Sequence, residues 1–186
     1  MTSGPMASEP RRLRPAEVGR LLDSAAAMIR AELEALPDDA LAWHPAPGEW
    51  CAKEILGHLI ESETRGFAGR IRIILARDTP TFETWDQPAV ARARRDCERD
   101  ARALLDEFGR LRHDSVALVA GLDGAALERG GRHPTVGFLA VGDLLQEWVH
   151  HDRNHLRQLL ANIQALAWPH MGNARRFSAG PVNPAI

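Results

Sequence analysis

The run Trp148-Val149-His150-His151-Asp152-Arg153-Asn154-His155 holds the residues of this chain best placed to do chemistry. His151 and His155 are four apart, which on a helix sets both imidazoles on one face with Cβ atoms about 5 to 6 Å from each other. Leu144, Trp148 and Leu159 fall on the same side, so the pair faces an interior. An imidazole there needs a hydrogen-bond partner, a proton or a metal to offset its lost water. The spacing suits two ligands of one divalent metal, and it equally suits two independently hydrogen-bonded histidines. His150, turned about 100° from His151, belongs to a rim or to solvent.

A third ligand would come from His44, His58, His113, His133 or His170. His58 is preferred because it lies early in a long apolar helix, and bundle sites collect ligands from facing helices. One detail opposes it. On an ideal wheel His58 is nearly opposite Phe67 and sits nearer Ile55, Ser62 and Gly69, so this helix must turn its main stripe to one neighbour and His58 to a cleft. The His-Asp-x-x-His pattern is not that of a zinc protease, because Asp152 replaces the required Glu base and no carboxylate follows His155.

Other residues have a functional and a plainer reading. Asp152 is a candidate base or a partner of a ligand, or else half of a salt bridge to a neighbouring helix. Arg65 and Arg153 are candidate anion contacts for a cofactor or substrate. His133 precedes Pro134 on a turn that reaches either the metal or the surface. Cys51 at a helix start would have a depressed thiol pKa, or is simply a small cap residue. Cys97 repeats with Ala93, Ala101 and Leu104 as core. Trp43, Trp50 and Trp148 read as buried anchors. Ser62 has no Ser-His-Asp constellation around it.

These residues must be held by helices. Apolar residues recur at helical spacing over 15–36, ending at Pro37, and the proline-rich segment 37–49 is an ordered loop around Trp43. A second helix runs from near Trp50 to about Arg77, with Cys51 and Glu54 at capping-box positions. A link with Trp85 and Pro88 follows. A third helix spans about 89–122, its charged first half a solvated face. A glycine-rich turn over 130–137 leads to the fourth helix, which begins near Val141 and ends before Pro169 and Gly172. No strand-like alternation of useful length and no internal repeat occurs. The expected architecture is an all-α four-helix bundle over 13–170, with a flexible leader at 1–12 and a tail at 171–186.

Composition narrows the function classes. With Lys and Arg totalling 23 against 25 for Asp and Glu, the charge of −2 gives no reason to expect nucleic acid. No apolar run suits a membrane span or a signal peptide. The two cysteines are too few for a disulfide framework and fit a reducing compartment, which makes the cytoplasm the expected location.

The chain resembles the DinB/YfiT-like superfamily of bacterial metalloproteins. The resemblance rests on Trp43-His44-Pro45, Pro47-Gly48-Glu49-Trp50, Glu54-Ile55-Leu56-Gly57-His58-Leu59 with Glu61 to Glu63, His133-Pro134-Thr135-Val136-Gly137 and His151-Asp152-Arg153-Asn154-His155-Leu156-Arg157-Gln158, and it covers residues 15–168. It implies that His58, His151 and His155 bind a divalent metal. Cys51 and Ala140 stand where the family commonly places Ser or Thr, departures that touch helix caps and not the triad.

Zinc or nickel is the expected metal of such a set. The function the resemblance implies is a metal-dependent transferase or isomerase using a low-molecular-weight thiol on a small-molecule substrate. The alternatives are a non-catalytic metal- or ligand-binding bundle and, more remotely, a metal-dependent hydrolase. Apolar residues around much of the second helix, and the resemblance to proteins that pair through helix faces, imply a homodimer.

Overall fold

Pro15 opens the first helix where its missing N–H costs nothing, and α1 runs over Pro15–Glu34 with Val18, Leu22, Ala25, Ile29 and Leu33 buried along one stripe. The computed structural model describes residues 11–178 and residue 180. A single turn, α2 (Asp38–Leu41), begins the loop after Pro37. The second long helix is α3 (Ala52–Glu61), a π-helical turn over Ser62–Gly66, and α4 (Phe67–Ala76). After α5 (Gln87–Arg94) and a 3₁₀ turn at Asp96–Glu98 come α6 (Ala101–Ala120) and the short α7 (Gly124–Glu128). Strands β1 (Gly130–His133) and β2 (Gly137–Ala140) then lead into α8 (Val141–Ala167).

The result is a four-helix bundle in which α1 packs on α6 and α8, α3 packs on α6 and α8, and α4 packs on α8. One half of the core gathers Ile29, Leu33, Leu56, Leu59, Leu104, Phe108 and Leu159, and the other gathers Val18, Leu22, Phe67, Ile71, Ile74, Leu145 and Trp148. Between them lies a buried ionic cross-link. Arg112 of α6 donates from Nε to Glu63 Oε1 (2.9 Å), from Nη2 to Asp152 Oδ1 (3.2 Å) and from Nη1 to the Leu22 carbonyl (2.9 Å). It thereby ties all four long helices together.

Several expectations are corrected. The third helix is not continuous over 89–122, because Arg95 takes a left-handed φ of 50° and the chain turns before α6. Asp96, buried there, accepts from Arg94 Nε (2.7 Å) and Arg99 Nη1 (3.0 Å), while Asp100 caps α6 by accepting from the Ala103 N–H at 2.8 Å. Cys97 is consequently half-buried in this turn, not core, and Ala93 is exposed. The glycine-rich turn is an antiparallel hairpin, Gly130 pairing with Ala140 and His133 with Gly137. Two of the four β1 residues are glycine, so no side-chain alternation could reveal the strand. Trp43 is 36% exposed and not the buried anchor expected.

Residues 1–10 of the expected leader lie outside the described residues, but its end is not loose. Arg11 pairs with Glu17 at 2.7 Å, and Arg12 pairs with Asp143 of α8 at 2.7 Å. In the tail, Gly172–Phe177 forms 3₁₀ turns with Arg175 over the Trp168 ring. Residues 179 and 181–186 lie outside the described residues.

Candidate metal centre

His58 comes from α3 and His151 and His155 from consecutive turns of α8, and one ring nitrogen of each lies within 4.8 Å of the other two. His58 Nε2 is 2.9 Å from His151 Nε2. Two imidazole nitrogens approach this closely only with a proton or a cation between them, since bare lone pairs repel.

The outer nitrogens set the tautomers. His155 Nδ1–H donates to Gln158 Oε1 at 3.0 Å, which leaves Nε2 as a bare lone pair. Gln87 Nε2 donates to His58 Nδ1 at 2.8 Å, so the proton of the neutral His58 ring sits on Nε2 and lies between it and His151 Nε2. His151 Nδ1 is buried without a partner. Burial holds all three rings neutral: it is the largest influence on each, and His58 is pushed down to about 3, with the neighbouring His155 adding to the effect. Three neutral, convergent imidazoles are a donor set a divalent metal takes, with His155 already held by Gln158 in the tautomer a metal needs and His58 brought to it by a half-turn of the Gln87 amide, so the residues present fit one.

The π turn explains why His58 belongs here although the helical wheel opposes it. Nine residues at about 100° each place Phe67 opposite His58 on an ideal helix. The extra residue of a π turn rotates the following helix back by about one residue's worth. Phe67 thus reaches the site, its ring 5.2 Å from His151 and stacked on Trp148 at 5.2 Å. His58, Ser62, Gly66 and Arg70, four apart in sequence, then line one wall. Trp50 closes the other side, its ring 5.3 Å from His58 and 6.4 Å from His155.

The triad forms part of the lining of an open cleft of about 1070 Å³. Phe67, Trp85, Val136 and Leu139 supply apolar surface, and Glu147, His150, Asn154 and Arg157 come from α8. His150 is exposed on this lining, and His133 reaches it from the end of β1 while its Nδ1 accepts from the Thr135 N–H at 3.2 Å.

Three expected site residues are not brought to it. Asp152 is fully buried against Arg112, so the salt-bridge reading replaces that of a catalytic base. Arg65 is exposed on another face and pairs with Glu61 at 2.6 Å. Arg153 donates to the Leu21 carbonyl at 3.1 Å. The cleft's cations are instead Arg157, which donates to Asn154 Oδ1 at 2.7 Å, and Arg70, whose guanidinium lies 5.0 Å from the Trp85 ring and 5.6 Å from Phe82. Arg70 Nε is buried without a partner, and among the described residues Arg70 forms no ion pair. Only the π-turn phase shift, which an ideal wheel omits, would have pointed to Arg70 in place of Gly69.

Comparisons with known proteins bear on the fold and the family. A family model described as the DinB superfamily matches residues 21–159. The uncharacterized protein YuaE of Bacillus subtilis (strain 168) is 26% identical over 141 residues, 69% of this chain and 86% of that protein. YfiT of Bacillus subtilis, described as a probable metal-dependent hydrolase with an unusual four-helix bundle topology, superposes with a TM-score of 0.73 at 21% identity over 90% of this chain and 93% of that one. A conserved protein of Enterococcus faecalis matches with a TM-score of 0.62 at 13% identity over 81% of this chain and 95% of that one. By the extent of that family match, across the segment that carries all three histidines, the chain belongs to the DinB superfamily.

Proposed function

We propose that this protein is a metal-dependent enzyme that transfers a low-molecular-weight thiol to a small electrophilic substrate, with His58, His151 and His155 as the ligands of a zinc or nickel ion. The observation that carries the reading is a neutral three-histidine cluster open to a cleft. A divalent ion with three protein ligands keeps a position for an exogenous group and lowers the pKa of a thiol or water bound there. At about 1070 Å³ the cleft lies at the upper end of small-molecule sites and has room for two reactants. Arg70 offers its charge to a carboxylate of thiol or substrate, and Phe67 and Trp85 supply the apolar wall against which it orients.

A second reading is metal-dependent hydrolysis, the activity ascribed to YfiT. It has one supporting observation here: Glu147, one helical turn before His151, is a carboxylate on the cleft wall and a candidate base for water. A thiol, already acidic near neutrality, has less need of such a base. The test supplies zinc-loaded protein with bacterial thiols and a model electrophile, alongside ester and amide substrates. Thiol transfer that is lost in His58→Ala and kept within about threefold in Glu147→Gln is expected, where loss of a general base would cost about a hundredfold or more. Hydrolysis lost in Glu147→Gln, with no thiol transfer, would establish the second reading instead.

A further inference from the structure

A second group of donor atoms lies at the start of α3 and takes no part in the cleft. Cys51, Cys97, His44 and Glu54 place their ligating atoms within 4.8 Å of one another. Cys51 precedes α3, Cys97 comes from the 3₁₀ turn before α6, and the two sulfurs are joined with their Cα atoms 6.8 Å apart. Their pairing corrects the expectation of a separate cap cysteine and core cysteine.

His44 is the informative residue. Its Nδ1 lies 2.8 Å from the Glu49 carbonyl, which can only accept, so the ring carries its proton there. The other nitrogen, Nε2, is therefore a bare lone pair, and it points at Cys97 Sγ from 3.4 Å. A backbone carbonyl that fixes one nitrogen while the other faces a sulfur is how proteins orient an imidazole toward a metal. Glu54 is held nearby, accepting from the Cys51 N–H at 2.9 Å with its carboxylate 3.6 Å from the His44 ring.

The surroundings also favour thiolates. Cys51 lies at the positive end of the ten-residue α3. The buried ammonium of Lys53, paired with Asp38 at 2.6 Å, donates to the carbonyls of Cys97 (3.4 Å) and Arg99 (2.8 Å) and so fixes the second cysteine's backbone.

We propose that Cys51, Cys97, His44 and Glu54 form a second metal site, selective for zinc by its two sulfur donors and opened by reduction of the Cys51–Cys97 bond. A thiol reductant supplies two electrons and two protons, becoming a disulfide as Cys51 and Cys97 become thiols. Zinc then binds both sulfurs and two protons leave to solvent. The Cα separation is at the upper end of what a disulfide spans, so side-chain rotation can part the sulfurs around an ion. The site is independent of the triad reading, because none of its four residues lines the cleft.

The test uses the full-length chain and cobalt(II), whose thiolate-to-metal charge-transfer band reports sulfur ligation and cannot arise from histidines alone. Protein reduced with a phosphine, freed of reductant and counted for thiols, is expected to develop the band with saturation at one cobalt per chain beyond that held by the histidine triad. Zinc should bleach it, and the oxidised protein should lack it. Cys97→Ser, at a half-buried position, should abolish the band, and His44→Ala, at an exposed one, should weaken cobalt binding about tenfold or more. Two free thiols with no band would overturn the proposal. So would a bond that thiol reductants cannot open in the folded protein, or cobalt affinity unchanged in His44→Ala.

Discussion

At the residue scale, the triad histidines serve the proposed site by staying neutral, and that neutrality has a measurable consequence. An unfolded histidine titrates near about 6.5, whereas burial holds His58 down to about 3 and lowers His151 and His155 as well. Between those values the unfolded chain binds protons that the folded chain refuses, so stability is full above the unfolded pKa and falls as pH drops through that window. The urea midpoint of metal-free protein should therefore decline from pH 7.5 to pH 5. The decline should be shallower in His58→Gln/His151→Gln, and an equal decline in the variant would show that other groups control acid stability. The sequence made the imidazoles legible because a spacing of four needs only a helix to converge. It misplaced the charged residues, since Asp152, Arg65 and Arg153 lie close in sequence to ligands but are drawn to Arg112, Glu61 and a backbone carbonyl.

At the scale of elements, the long helices are legible because apolar periodicity survives over many turns, and the interruptions are not. The π turn over Ser62–Gly66 leaves the hydrophobic stripe readable while shifting its phase, so an ideal wheel turns His58 away from the site and hides Arg70. The break at Arg95 was hidden in the same way, although Asp96 and Asp100 are residues that favour helix starts. Gly69 maintains the π turn: a Cβ there would stand 2.2 Å from the Thr64 carbonyl oxygen, a backbone atom that has no freedom to move aside. Helix propensity alone predicts that Gly69→Ala stabilises by about 1 kcal/mol. We expect destabilisation by at least about that amount in urea unfolding, with weaker metal binding as α4 rotates Phe67 away from His151. A stabilised variant with unchanged metal affinity would show that the π turn does not set the site.

At the scale of the whole molecule, the bundle is joined at two levels, by Arg112 within the core and by the histidines at the cleft. Arg112→Met would leave Glu63 and Asp152 buried without their cation, a change that costs about 3–5 kcal/mol. Denaturation should show that loss, and the triple variant Arg112→Met/Glu63→Leu/Asp152→Leu should recover most of it. Failure of the triple variant to recover would mean that the charges do more than balance one another. Among the described residues no helix is long and apolar enough to cross a membrane. The central claim is that three histidines from α3 and α8 hold a metal with a position left open to that cleft. Crystals grown with zinc and measured on both sides of its absorption edge test it most directly. The account predicts one anomalous peak bonded to His58, His151 and His155 at about 2.0–2.1 Å, with its remaining coordination directed into the cleft. No peak among these rings, or a peak closed off by a fourth protein ligand, would contradict it.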